Sequence, residues 1–220
     1  MEFLNNDKKH MAPSQSRHLY HFTERGRRPH TTDAQFRLGA IQNIKNATQR
    51  AQTKLQHILW DKKLMATYQH GVTSVNGRRC ACFTEATDAD LAYLMSFRQY
   101  QPYAIIVSRE TVLLKGGGSV MYVMEGETLD RLGRQQLADL AVRTSGGSND
   151  WTWEREWRIP AYGKSEWVPV LEVTAILVGD ASWRPASREG KLPALWLESP
   201  VWVWNAATST VDTYAPGDLN

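Results

Sequence analysis

Two cysteines in 220 residues leave this chain with little thiol chemistry. Cys80 and Cys82 stand two apart on what reads as one strand, which is poor disulfide geometry. They also lack the second pair, or the clustered histidines, that a zinc site needs, so no metal is expected. No run of 18 apolar residues occurs, which predicts no membrane-spanning helix. The opening MEFLNNDKKHMAPSQSRH has no apolar core of the kind a secretion signal carries, and the expected setting is cytoplasmic and reducing. No GxSxG elbow offers a hydrolase nucleophile. The triple glycine at 116–118 is followed by no GK[ST] and sits between expected strands rather than before a helix, so it is not a phosphate loop.

Tryptophan, by contrast, is abundant: nine residues that bury large areas and can also serve as stacking platforms. The length suits one domain with a full core, read as 18–220 behind a polar, disordered tail at 1–17. The net charge of +3 hides an asymmetry. Residues 1–80 hold 14 Lys and Arg against 5 Asp and Glu, a net of +9, whereas the remaining 140 hold 12 against 18, a net of −6. A basic region at one end of the chain is the footprint of a polyanion partner, or else a solvated helix face.

HLYHFT (18–23) reads as a strand, and the basic loop ERGRRPHTT follows it. Ile41, Ile44, Thr48, Ala51, Leu55 and Ile58 repeat every three or four residues, predicting one amphipathic helix from about Asp33 to Trp60. Its other positions carry Arg37, Lys45, Arg50 and Lys54, an expected basic outer face. RRCACFTE reads as a strand, 88–100 as a helix, PYAIIVS as a buried strand, and VLLKGGGSVMYV as a glycine turn before another strand. A helix over 128–143 follows, with Leu129, Leu132, Leu137 and Leu140 as its stripe. WVPVLEVTAILVGD and VWVWNAATSTVDTY add strands, giving a mixed α+β domain.

DWTWEREWRIP (150–160) is the unusual stretch. Alternation puts Trp151, Trp153, Arg155, Trp157 and Ile159 on one strand face and Thr152, Glu154, Glu156 and Arg158 on the other. The tryptophans then face either the core or a base-stacking surface. Glu154 and Glu156 fall about 6.5–7 Å apart, with Arg158 next along. Such a face is either a surface ion-pair ladder or an active site. His21, Thr84 and Glu85 are the remaining residues with chemistry to offer.

Five patches in order, LYHFT, LQHILWDKKLMA, CACFTE, PYAIIVSRETVLLKGGGSVMYV and EREWRIP, resemble a bacterial group of toxin-like proteins. The group includes the DarT-type DNA ADP-ribosyltransferases and abortive-infection proteins of the AbiGi type. The resemblance spans roughly 18–160, with a longer stretch here between LYHFT and LQHIL. It implies an ADP-ribosyltransferase-like fold, two packed, mostly antiparallel sheets with flanking helices and NAD+ as substrate in the cleft. It implies Glu156 as the carboxylate that takes the ribose 2′-hydroxyl, with Glu154 addressing the acceptor. His21, between Tyr20 and Thr23, would hold the NAD+ ribose; Thr84 with Phe83 or Tyr100 would fix the nicotinamide; Arg98 or Arg158 would meet the pyrophosphate. The setting would be anti-phage defence or a toxin–antitoxin pair, with an antitoxin protein as possible partner. The basic N-terminal third favours DNA or RNA as acceptor, through Arg25, Arg27, Arg28, Arg37, Lys45, Arg50 and Lys54. The alternatives are NAD+ hydrolysis without an acceptor and a non-catalytic nucleic-acid-binding module.

Overall fold

The computed structural model describes residues 15–24, 41, 44–67, 78–123, 126–134, 138–143, 155–163, 165–170 and 172–219. Strand β1 (His18–Phe22) precedes helix α1 (Ala47–Asp61) and the short β2 (Lys63–Met65). CACFTE makes β3 (Cys80–Glu85), after which Thr87 caps α2 (Asp88–Ser96). The Thr87 side chain accepts the Asp90 N–H while the Asp90 carboxylate accepts the Thr87 N–H. The apolar AIIVS makes β4 (Ala104–Ser108), whose last residue caps α3 (Arg109–Leu114). Next come β5 (Gly118–Ser119), β6 (Met121–Val123), α4 (Gly126–Arg134), a single 3-10 turn at Ala138–Leu140 and β7 (Ala141–Arg143). The later elements are β8 (Glu156–Pro160), β9 (Trp167–Pro169), β10 (Ala175–Val178), α5 (Ala194–Glu198), β11 (Val201–Asn205) and β12 (Thr210–Tyr214).

Eight of these strands form one sheet in the order β12-β11-β10-β4-β1-β3-β8-β5, antiparallel except for the β10/β11 pair. The class is α+β. In place of two packed sheets, the described residues form this one large mixed sheet with the two-stranded ribbons β2/β9 and β6/β7 beside it. β4 and β10 lie inside the sheet, and their apolar runs are buried at every position, as strands covered on both faces must be. Parity sorts the rest of the core. Leu19, Phe83, Ile105 and Ile159 point to the face carrying Leu55 and Leu59 of α1. Tyr20, Ala104 and Ile106 point to the face carrying Leu91 and Leu94 of α2.

The expected helix over 33–60 is shorter in its described part. Asn46 has extended backbone, and its side chain accepts the Gln49 N–H at 3.1 Å, so α1 starts at Ala47. Arg50 is not on an exposed face. It is 0% exposed, donates through Nη1 to the Ile44 and Lys45 carbonyls at 2.9 and 2.8 Å, and meets the buried Glu24 carboxylate at 3.4 Å. Lys54 joins the same carboxylate at 2.9 Å. Arg50→Met should therefore cost about 3 kcal/mol in urea unfolding, the low end for breaking a buried pair because Lys54 still holds Glu24. A loss below about 1 kcal/mol, the median of a surface ion pair, would show the contact to be incidental.

Three other boundaries differ from expectation. The helix expected over 88–100 ends at Ser96, and VLL belongs to helix α3 because Ser108 caps it, its hydroxyl accepting the Thr111 N–H at 3.0 Å. The helix expected through 143 ends at Arg134, because 141–143 pairs with β6 as a parallel strand. The triple glycine is a packing device between α3 and β5. Gly116 has φ +72°, and a Cβ on Gly117 would lie 2.3 Å from the Arg158 carbonyl oxygen.

Candidate active site

Strand register assembles the site. Tyr20 of β1 lies opposite Thr84 of β3, and Thr84 opposite Glu156 of β8, so one row of side chains crosses three adjacent strands. Two residues along, Cys82 lies opposite Arg158. All five share the sheet face on which α2 packs. Glu156 is 8% exposed and Arg158 1%. The guanidinium grips the carboxylate side-on, Nε to Oε1 and Nη2 to Oε2, both at 3.0 Å. Its remaining nitrogen, Nη1, donates to the Asp139 and Ala141 carbonyls at 3.1 Å each. The Glu156 N–H donates to the Tyr122 hydroxyl at 3.1 Å.

The neighbouring acids stay protonated. Burial first, and the Glu156 charge second, push the Cys82 thiol well above its ordinary range. Burial pushes Cys80 up to about 12. Burial, reinforced by the charge of Asp88, holds the Tyr20 phenol well above its usual value, so it remains a hydroxyl donor. Both cysteines are free thiols.

The structure splits the NAD+-contact set implied by the resemblance. Tyr20 and Thr84 share the Glu156 face, and Tyr100 belongs to the same buried cluster as Tyr20, its ring 4.9 Å from Phe22. His21 alternates to the opposite face with Phe83, their rings 5.5 Å apart, and its Nδ1–H donates to the Cys82 carbonyl at 2.8 Å. A ribose beside Glu156 therefore does not meet His21 across the same face. Thr23 ties strand to helix, its hydroxyl bonded to the Ala51 and Tyr103 carbonyls, both at 3.0 Å. Arg98 stands exposed just after α2, while Arg158 is committed internally and is no candidate for a pyrophosphate.

Alternation stops before Glu156. Arg155 has a left-handed backbone, φ +41°, and its guanidinium clamps the Asp90 carboxylate at the start of α2. Glu154, Trp151 and Trp153, and with them the expected spacing of Glu154 and Glu156, lie outside the described residues. Of the basic set, Arg25, Arg27, Arg28 and Arg37 also lie outside them, Lys45 is exposed, and Arg50 and Lys54 turn inward to Glu24. Glu85 is likewise spent on structure. It holds Arg109 at 2.6 Å, the Trp157 indole N–H at 3.0 Å and the Ser16 N–H at 3.1 Å, with Arg109 over the Trp157 ring.

Sequence reasoning missed the cradle formed by Arg158, Cys82 and the 138–143 backbone around Glu156. Parity was the available signal, since positions 82 and 84, like 156 and 158, share a face. Among the described residues no group of three His, Cys, Asp or Glu could hold a metal, and no helix is long and apolar enough to cross a membrane. No family model, curated protein or solved structure matches the chain, which leaves the site to be read from its own residues. What the cradle provides is a salt-bridged carboxylate of fixed orientation with Thr84 opposite it on the next strand, an arrangement suited to accepting a hydrogen bond from a hydroxyl-bearing substrate.

Proposed function

We propose that the chain is an NAD+-dependent ADP-ribosyltransferase of the toxin type, on an ADP-ribosyltransferase-like fold, acting on DNA or RNA inside the cell. Glu156 takes the ribose 2′-hydroxyl. The observation that carries this reading is the Tyr20–Thr84–Glu156 row with its carboxylate immobilised by Arg158. The reaction breaks the bond between nicotinamide and ribose C1′, whose electron pair leaves with nicotinamide; the acceptor adds to C1′ and loses a proton. Positive charge develops at C1′ on the way, as in glycoside cleavage. A fixed carboxylate accepting the adjacent 2′-hydroxyl gains strength as that charge grows, which is stabilisation of the transition state rather than of the substrate. Thr84 supplies a hydroxyl on the adjacent strand, Tyr20 stands one strand further along the row, and Glu154 is assigned to the acceptor. A toxin of this kind belongs to anti-phage defence or a toxin–antitoxin pair, with an antitoxin protein as partner.

One observation favours a second reading, NAD+ hydrolysis with water as acceptor: Arg50 and Lys54 are tied to Glu24 and do not serve phosphates. Incubation with labelled NAD+ and separate pools of DNA, RNA and protein decides between them. Label on DNA or RNA is the expected result. Nicotinamide release with only free ADP-ribose formed selects hydrolysis, and label on protein moves the acceptor away from nucleic acid. No nicotinamide release in any pool sinks both readings.

A further inference from the structure

We propose that Arg158 is the positioning residue of this site, fixing the plane in which the Glu156 carboxylate meets a sugar hydroxyl. This rests on the assignment of Glu156 as the carboxylate that meets the ribose. A carboxylate offers roughly four lone-pair positions. The two Arg158 bonds at 3.0 Å take one position on each oxygen. Glu156 thus retains about one lone-pair position on each oxygen for an incoming hydroxyl. The grip is rigid because Arg158 is itself fixed. It is 1% exposed, and Nη1 is pinned by two carbonyls on the segment leading into β7. Two parallel bonds from a planar fork define the carboxylate plane, which one point charge does not. Arg158 touches no substrate; it acts through Glu156.

The test compares the full chain with Arg158→Lys, which keeps the charge and loses the fork. Steady-state nicotinamide release should show kcat lower by about 10- to 100-fold with KM within about twofold, since small misplacement of a reacting group costs rate rather than binding. A purely structural residue would lower the folded fraction and leave the kcat of the folded protein unchanged. A second measurement needs no turnover: isotope-edited infrared spectra of glutamate-labelled protein, with the Glu156 bands assigned by their loss in Glu156→Gln. These bands should shift in Arg158→Lys. Wild-type kcat in Arg158→Lys overturns the positioning role while the ADP-ribosyl reading stands. An infrared shift in Arg158→Lys, with no nicotinamide release from wild type, removes the ADP-ribosyl reading and retains Arg158 as what orients Glu156. No shift and no turnover removes both.

Discussion

Glu156→Gln should lower nicotinamide release by about 10²–10³-fold, the scale measured when one preorganised group that acts on developing charge is removed. The same change should also destabilise the protein. Arg158, 1% exposed, keeps its two carbonyl partners but loses its counter-charge, and a buried ion pair broken on one side costs about 3–5 kcal/mol. The two effects separate in the double variant Glu156→Gln/Arg158→Met. Replacing both partners removes the orphaned charge, so urea unfolding should recover most of the lost stability while turnover stays absent. A Glu156→Gln protein that keeps activity within threefold of wild type would exclude Glu156 from the chemistry.

Gly117→Ala should be the most destabilising single methyl addition at the glycines of the turn. The added Cβ would meet the Arg158 carbonyl oxygen at 2.3 Å, the Val112 Cγ1 at 2.8 Å and the Val112 carbonyl oxygen at 3.0 Å. Two of those three atoms are backbone, so no rotamer change relieves the overlap. Either α3 or β8 has to move, and β5 is hydrogen-bonded to β8 at Arg158. We expect a loss of about 3 kcal/mol or more, the upper end of what overpacking with a forced backbone shift costs. Gly116→Ala is the control. Nothing lies within 4 Å of its Cβ, and its cost is only that of an L-residue at φ +72°, about 1–2 kcal/mol. Equal losses for the two variants in urea unfolding would refute the close-approach account. Because the clash lands on the residue that orients Glu156, Gly117→Ala should also lose turnover beyond its loss of folded protein.

Much of this architecture could be read from local pattern. AIIVS, AILV and CACFTE declared themselves as strands, and the Ala51, Leu55, Ile58 spacing located the buried side of α1. Parity within a strand was legible too: Glu156 and Arg158 do share a face opposite Trp157 and Ile159. What local pattern does not encode is how strands pair. Only the Tyr20–Thr84–Glu156 register shows that His21 and Glu156 face opposite ways. Amphipathic spacing sends the Arg50 guanidinium to water, whereas its partner Glu24, distant in sequence, holds it inside. The left-handed turn at Arg155 could not be seen, since nothing in DWTWERE demands a positive φ there.

The strand order also governs how a chain synthesised from its first residue can fold. β1 occupies an interior place in the sheet, yet His18 pairs with Ser108 and Tyr20 with Thr84. At about 5–20 residues per second, β1 waits several seconds on the ribosome before either partner strand exists. β4 waits again for Ala175–Val178, and β8 supplies the last neighbour of β3. Folding is therefore weighted towards non-local pairing and late commitment, the slow end of the range for single domains. A nascent or truncated chain that stops short of Ala175 presents β4 with an open apolar edge, which makes it a substrate for chaperones and for aggregation.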